Sequence, residues 1–376
     1  MQTIEIKKII LQPIFKTRKC CIFIQLFQHF LGTHTGNQTN MKRQITIKDI
    51  ATKLGLSTST VSRALKDHPD ISPKTRTAVK ELAGLLGYRP NRIALNLRNN
   101  STRTIGLIIP EIEHYFFSAI INGIEEIAYK NDYSVMVFQS NESYKREVIN
   151  TQAVLTNRVD GVLVSFSKET SDFSHFQKLI DNEIPVVFFD RTTEELPADQ
   201  VVADDYQGAF IAVNHLIEKG CKKIAHFAAP QNLQIGKSRL SGYHDALLKH
   251  NIPFRHDLVH LADTYETAKK TAHDILRKPD APDGFFAVND MSAIAIIKAA
   301  KELGKRVPED VKVVGFENSK SSAISDPELT TIDQFGFDLG REACIMLLKR
   351  LKEGDDVEFK PIKKVIKTKL VVRSST

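Results

Sequence analysis

From Thr104 onward the chain repeats one pattern, a short apolar run followed by an amphipathic stretch of helical period. The strand candidates are TIGLIIP, YSVMVFQ, VDGVLVSF, IPVVFFD, KKIAHFA, DGFFAVND and VKVVGFE. Stretches such as FFSAIINGIEEIAYK and MSAIAIIKAAKELG separate them. Such alternation predicts α/β architecture, with parallel sheets covered by helices. A length of 376 residues accommodates two such halves and a further domain. The break between the halves is expected near residues 192–205, before YQGAFIAVNHLIEKG. Sheets of this kind bind ligands beyond the carboxyl ends of their strands. The last segment, KKVIKTKLVVRSST, alternates like one more strand and carries no leucine heptads, so no coiled coil is expected.

The region before Thr104 has a different period. Ile47, Ile50, Ala51 and Leu54 recur at helical spacing. Gly55 can end that helix in the left-handed conformation, and Ser57 can cap the next. Val61 and Leu65 then form the inner face of a second helix. Its outer positions carry Thr58, Ser59, Ser62 and Arg63, where a plain solvated helix would more often carry Glu and Lys. Short hydroxyls suit close approach to base edges and phosphates, and arginine grips guanine in a bidentate way. A third helix is expected after Ser72 and Pro73, with Val79, Leu82, Leu85 and Leu86 on one face and Gly87 at its end. RIALNLR could form a short helix, too short to be stable alone in water.

Charge separates the same two regions. The chain carries +7 overall. Residues 41–104 hold 13 Lys and Arg against 4 Asp and Glu, a balance of +9, whereas residues 105–376 stand at −6. A basic head on a mildly acidic body is the footprint of polyanion binding; a solubilising surface is the bland alternative. Residues 1–40 include CCIFIQLFQHFLG, shorter than a membrane span and without a cleavage site. They are read as a non-native or disordered extension from a start assigned too far upstream, rather than as an anchor, and no membrane partner is expected. The four cysteines have neither metal nor redox spacing, which suits a reducing cytoplasm.

The motifs TIKDIA, GLSTSTVSRAL, SPKTR, LGYRPN and RIALNLR, in this order, closely resemble the head of the lactose repressor (LacI) family of bacterial transcription regulators. The resemblance continues to about residue 353. It implies an all-α helix-turn-helix head at residues 41–89, a hinge helix and linker at 90–103, and a bilobed sensor of two parallel-sheet subdomains at 104–376, similar to periplasmic binding proteins. It implies a homodimer on double-stranded operator DNA, controlled by a small-molecule effector, expected to be a carbohydrate. In the head it nominates Thr46 for phosphate and Thr58 with Ser59 for bases, with Ser57, Thr60, Ser62 and Arg63 also on the DNA side. Asn91, Arg92, Ala94 and Leu97 match the hinge helix, Leu97 as the minor-groove wedge. In the sensor it nominates Phe116, Phe117, Arg239, Asn289 and Asp290. Asp190, Arg191, Asp205, Asp263 and Gln334 join them as residues lining or supporting the cleft.

There are departures. Asp263 falls where an aromatic is common, Glu317–Asn318 replaces a pair of aspartates, and Phe335 stands where proline is frequent. Leu233 and Ile235 are apolar where purine-sensing relatives are polar, which disfavours a purine effector. Catalytic motifs are missing: there is no G-x-G-x-x-G, P-loop, G-x-S-x-G or H-E-x-x-H. No catalytic residue, metal or cofactor is therefore expected. Asp190–Arg191 and Asp204–Asp205 are read as ligand-orienting or cross-domain ion pairs. The leading expectation is a ligand-responsive regulator, with repression as its action. The alternative is a sugar-binding protein or sugar-active enzyme on the same body, which the head argues against.

Overall fold

The computed structural model describes residues 45–88, 101–353 and 358–376. The expectations for residues 1–40 and for Asn91, Arg92, Ala94 and Leu97 lie outside these. The chain divides near residue 95 into a small head and a larger body.

The head holds α1 (Ile47–Leu54), α2 (Thr58–Leu65) and α3 (Pro73–Leu85). Gly55, at φ 62°, turns the chain out of α1, and the Leu56 N–H closes on the Ala51 carbonyl at 3.0 Å. Ser57 and Ser72 cap the following helices, their hydroxyls accepting from the backbone N–H of Thr60 at 3.1 Å and Thr75 at 3.2 Å. Ile50, Ala51, Val61, Ala64, Val79 and Ala83 form the core. Small residues at Ala51, Ala64 and Ala83 let three short helices approach closely. Leu85 departs from the expectation: it is 85 % exposed. It follows Val79 by six residues, about 240° around a helix, so it cannot share its face.

In the body, lobe 1 opens with β1 (Thr104–Ile109), α4 (Tyr115–Lys130), β2 (Ser134–Gln139) and α5 (Tyr144–Thr156). It continues with β3 (Gly161–Val164), α6 (Ser174–Asp181), β4 (Val186–Phe189) and β5 (Asp199–Ala203). The chain then crosses at Asp204 into lobe 2, beginning with α7 (Asp205–Glu218), β6 (Ile224–Ala228), α8 (Gln234–Lys249) and β7 (Val259–Leu261). Next come α9 (Tyr265–Leu276), β8 (Gly284–Ala287), α10 (Asp290–Glu302) and β9 (Lys312–Glu317). The lobe closes with α11 (Lys320–Ile324) and β10 (Thr330–Asp333).

The chain crosses more than once. After β10 it returns to lobe 1 as α12 (Gly336–Arg350), which packs on α4. The tail expected as one strand is two. β11 (Lys363–Ile366) pairs with β5 in lobe 1, and β12 (Lys369–Val371) pairs antiparallel with β10 in lobe 2. The sheets run β11-β5-β4-β3-β1-β2 and β12-β10-β9-β8-β6-β7. Central strands β3, β4 and β8 are buried throughout, as parallel strands covered on both faces must be. No helix among the described residues is long and apolar enough to cross a membrane.

Lobe 1 depends on the return of α12. A Cβ on Gly340 would stand 2.2 Å from the Ile120 carbonyl oxygen, and one on Gly123 would stand 2.0 Å from that of Phe337. The two helices therefore meet backbone to backbone, where packing density leaves no room for a methyl group. Gly340→Ala should destabilise the body by about 1–3 kcal/mol through overpacking. A urea midpoint equal to that of the parent chain would refute this.

Candidate nucleic-acid interface and ligand cleft

On the head, Thr58, Ser59 and Arg63 are exposed along α2, with Ser62 half-buried. Arg63 lies 3.9 Å from Asp70, a solvent-exposed pairing too long and too wet to hold it strongly. Ser57 and Thr60 act locally, their hydroxyls 2.8 Å apart within the cap of α2. Ser59 also reaches the Ser57 hydroxyl at 2.8 Å. The Thr46 hydroxyl donates to the Asp49 carboxylate at 2.7 Å. Thus Thr58, Ser59, Ser62 and Arg63 share an outward face, while Ser57, Thr60 and Thr46 are engaged at helix starts.

On the body, the strand orders reverse between β1 and β3 and again between β6 and β8. These switch points are where two diverging loops leave a crevice. The loops after all four strands meet in one cleft of about 820 Å³, through Glu111 and His114, Lys168, Ala229 and Pro230, and Val288 and Asn289. Phe116, Phe117, Leu233 and Ile235 supply apolar wall. Asp190, Arg191, Arg239, Asp263, Glu317 and Gln334 supply polar groups.

The cleft is drawn together by contacts between the lobes. Glu317, ending β9 in lobe 2, accepts from the Phe116 N–H at the start of α4 in lobe 1, at 2.7 Å. Asn232 of lobe 2 donates to the Lys168 carbonyl at 2.8 Å, and Lys168 Nζ lies 3.6 Å from the Asp263 carboxylate. Leu233, 2 % exposed, packs into the lobe 1 apolar cluster with Val164 and Phe166.

The charged residues pair locally. Arg191 makes a bidentate bridge to Glu142 at 2.7 and 2.8 Å and donates to the Phe166 carbonyl at 3.0 Å. All three belong to lobe 1, so of the two roles expected from sequence, ligand-orienting or cross-domain, Arg191 does not make the cross-domain pair. Burial opposes the Glu142 charge, yet the Arg191 guanidinium holds its carboxyl below the ordinary range. Arg239 donates through Nε and Nη2 to Asp205 at 2.8 and 2.7 Å and through Nη1 to the Val288 carbonyl at 2.6 Å. Its guanidinium lies 3.9 Å over the Phe316 ring. This pair lies within lobe 2, while Asp204 caps α7 through the Gln207 N–H at 3.1 Å.

Of the residues nominated from sequence, Phe116, Phe117, Asp190, Arg191 and Arg239 line the cleft. So do Asp263, Asn289 and Gln334. Asp205 and Asp290 do not. Asp205 lies beneath Arg239. Asp290 is fully buried, accepting from Ser319 N–H at 2.7 Å, Ser319 Oγ at 2.9 Å and Thr331 Oγ1 at 2.5 Å. It ties the starts of α10 and α11 to β10 and does not line the cleft. Asn289, its neighbour, caps α10 through Ser292 N–H at 2.7 Å and holds the Asp263 carbonyl at 2.8 Å.

Glu142, Lys168 and Glu317 were not nominated as site residues. Burial, with Asp290 nearby, pushes the Glu317 carboxyl up to about 8, and burial pushes Asp190 up to about 6. Both have positive φ, 145° for Glu317 and 59° for Asp190, as has Phe335 at 51°. Strained backbone of this kind concentrates at ligand sites and switch regions. Among the described residues no cluster of His, Cys, Asp and Glu could hold a metal ion.

Two buried carboxylates, Asp205 and Glu317, can be probed by substitution. Arg239→Ala leaves Asp205 buried without its cation and should cost about 3–5 kcal/mol in chemical denaturation; a loss below about 1 kcal/mol would place little weight on the pair. Glu317 binds its proton more tightly folded, near 8, than at its ordinary 4.5. Its contribution is complete below the ordinary value and is lost as pH rises through the folded one. Glu317→Gln keeps an acceptor for Phe116 but removes the titration. Parent stability should therefore fall relative to the variant from about pH 5 to pH 8, and parallel melting-temperature profiles would contradict this.

Residues 46–91 match the family model described as bacterial regulatory proteins, lacI family. Residues 213–376 match that of the periplasmic binding protein-like domain. The chain is 34 % identical over 332 residues to the HTH-type transcriptional repressor CytR of Escherichia coli (strain K12), covering 88 % of this chain and 96 % of that one. It is 31 % identical to catabolite control protein A of Priestia megaterium, over 82 % of this chain and 93 % of the relative. Among solved structures, the lac repressor dimer bound to operator and the anti-inducer ONPF superposes with a TM-score of 0.79 at 25 % identity, over 89 % of this chain and 99 % of that one. The transcriptional regulator CelR–cellobiose complex does so with 0.67 at 30 % identity, over 89 % and 100 %.

Proposed function

The chain belongs to the LacI family of bacterial transcription regulators, and on that footing we propose that it is a cytoplasmic repressor whose homodimer holds a palindromic operator under the control of a sugar or sugar derivative bound in the cleft. The observation that carries this reading is the pairing, in one polypeptide, of an outward Thr58–Ser59–Arg63 face with a cleft at both switch points of a bilobed body. Its relatives are regulators rather than enzymes. Neighbouring structures hold cellobiose and ribose, and aromatic walls with convergent carboxyl, amide and guanidinium groups suit such ligands.

In this mechanism α2 enters the major groove. Thr58 and Ser59 meet base edges, and Arg63 takes a guanine O6 and N7 pair. Residues 90–103 connect head to sensor. The effector strengthens or replaces the contacts between lobes, and so changes the geometry that the dimer presents to DNA. Only a modest bias is required, since a hundredfold change in operator affinity corresponds to about 2.7 kcal/mol of coupling.

The test is binding to an operator selected from a random duplex library, read by fluorescence anisotropy. A basic head displaces counterions, so affinity should fall on the order of a thousandfold between about 50 and 200 mM salt. Arg63→Ala should cost about 1–3 kcal/mol and relax specificity at one base pair of each half-site. Salt-independent binding, or an Arg63→Ala variant with unchanged sequence preference, would remove the DNA-reading role from this face.

A further inference from the structure

We propose that the cleft selects an uncharged, polyhydroxylated effector and discriminates against phosphorylated and carboxylated sugars. This deepens the effector reading above and rests on it. A side-chain grip on an anionic ligand favours a cation whose charge is not already balanced. Among the described residues the cleft offers Lys168, Arg191 and Arg239, with His114 at its edge. Each has an acidic partner in place. Arg191 is held on both guanidinium nitrogens by Glu142, Arg239 is held by Asp205 beneath it, Lys168 faces Asp263, and His114 lies 3.2 Å from Glu111. Arg239 is fixed further by the Val288 carbonyl and the Phe316 ring. A phosphate gripping Arg191 or Arg239 would have to break a buried pair and strand its carboxylate, whereas the part-exposed Lys168–Asp263 and His114–Glu111 pairs are weaker holds.

The charges that remain point the same way. Asp190 and Glu317 line the cleft without a salt-bridging cation inside ordinary hydrogen-bond reach; the Arg191 Nε lies 4.0 Å from Asp190. Burial raises both carboxyls, Asp190 to about 6 and Glu317 to about 8, and neither supplies positive charge to a ligand. An anion bound beside Asp190 meets repulsion once that carboxylate ionises above about pH 6.

What the cleft leaves unsatisfied is single hydrogen bonds. Gln334, 3 % exposed, has no partner for its Nε2, and Arg191 has none for its Nε. Asp190 has acceptor capacity beyond one 3.3 Å bond from Ser165. Hydroxyl groups both accept and donate, so adjacent hydroxyls on one ring can serve a donor and an acceptor together. The C–H face of that ring suits the wall formed by Phe116, Phe117 and Leu233.

Isothermal calorimetry on the full-length protein tests this with matched probes: glucose with glucose 6-phosphate and glucuronate, ribose with ribose 5-phosphate, and cellobiose. At least one neutral sugar should bind, at least tenfold more tightly than its charged counterpart. Glu142→Gln, which releases the Arg191 charge, should narrow or reverse that preference. Asp263→Asn, which releases Lys168, provides the same readout should Glu142→Gln fail to fold. A charged sugar binding the parent as tightly as its neutral form overturns the inference and leaves the effector reading standing. Binding of no probe counts against both, and an unchanged preference in a folded variant overturns the charge-balance argument.

Discussion

One guanidinium anchors the floor of the sensor. Arg239 on α8 holds Asp205 at the start of α7, the Val288 carbonyl beyond β8 and the face of Phe316 on β9. Asp205 is the first residue of lobe 2 after the chain leaves lobe 1, so the pair fixes the crossing point as well as the cleft. Neither member could be buried without the other, because an uncompensated charge in this setting is far costlier than the pair. The loops above can be sparse and strained because the layer beneath them is rigid.

The two lobes share more than one covalent connection, and this shapes how they can move. The chain passes between them at Asp204, between Asp333 and Gly336, and at Lys367–Thr368. Strands β11 and β12 are two halves of one extended tail, each stitched to a different sheet. Such a connection limits sliding and favours closure about the shared edge. At the open side the contacts are Glu317 with Phe116, Lys168 with Asp263 and Asn232, and Leu233 within the lobe 1 apolar cluster. In the proposed mechanism, a ligand acts by altering these contacts and so the angle between the lobes.

The strands legible in the sequence are those with apolar runs, which in the central strands reflect burial on both faces, although β2 is a part-exposed edge strand. Strand β5 escapes because it starts with Asp199 and Gln200. The Asp199 carboxylate is completely buried, and its justification is Arg350 at 2.7 Å, about 150 residues away on a helix that returns from the far end of the chain. Strand β10 is threonine-rich because Thr331 serves Asp290, and β7 is a three-residue edge. The same limit applies at the cleft. Arg239 and Gln334 are legible through family resemblance, whereas Glu142 and Lys168 take their roles from partners 49 and 95 positions distant. Asp290 shows the converse: its position by resemblance marks it for ligand, yet its oxygens are taken by Ser319 and Thr331.

On this reading the cleft and the DNA-reading face are two ends of one equilibrium. The most direct test is to titrate a cleft-binding sugar, identified by calorimetry, into the protein–operator complex and follow operator affinity by fluorescence anisotropy. Saturating sugar should shift that affinity at least tenfold, and Gln334→Ala should move the midpoint of the shift to higher sugar concentration. Operator affinity identical with and without saturating sugar, in protein shown by calorimetry to have bound it, would contradict the coupling.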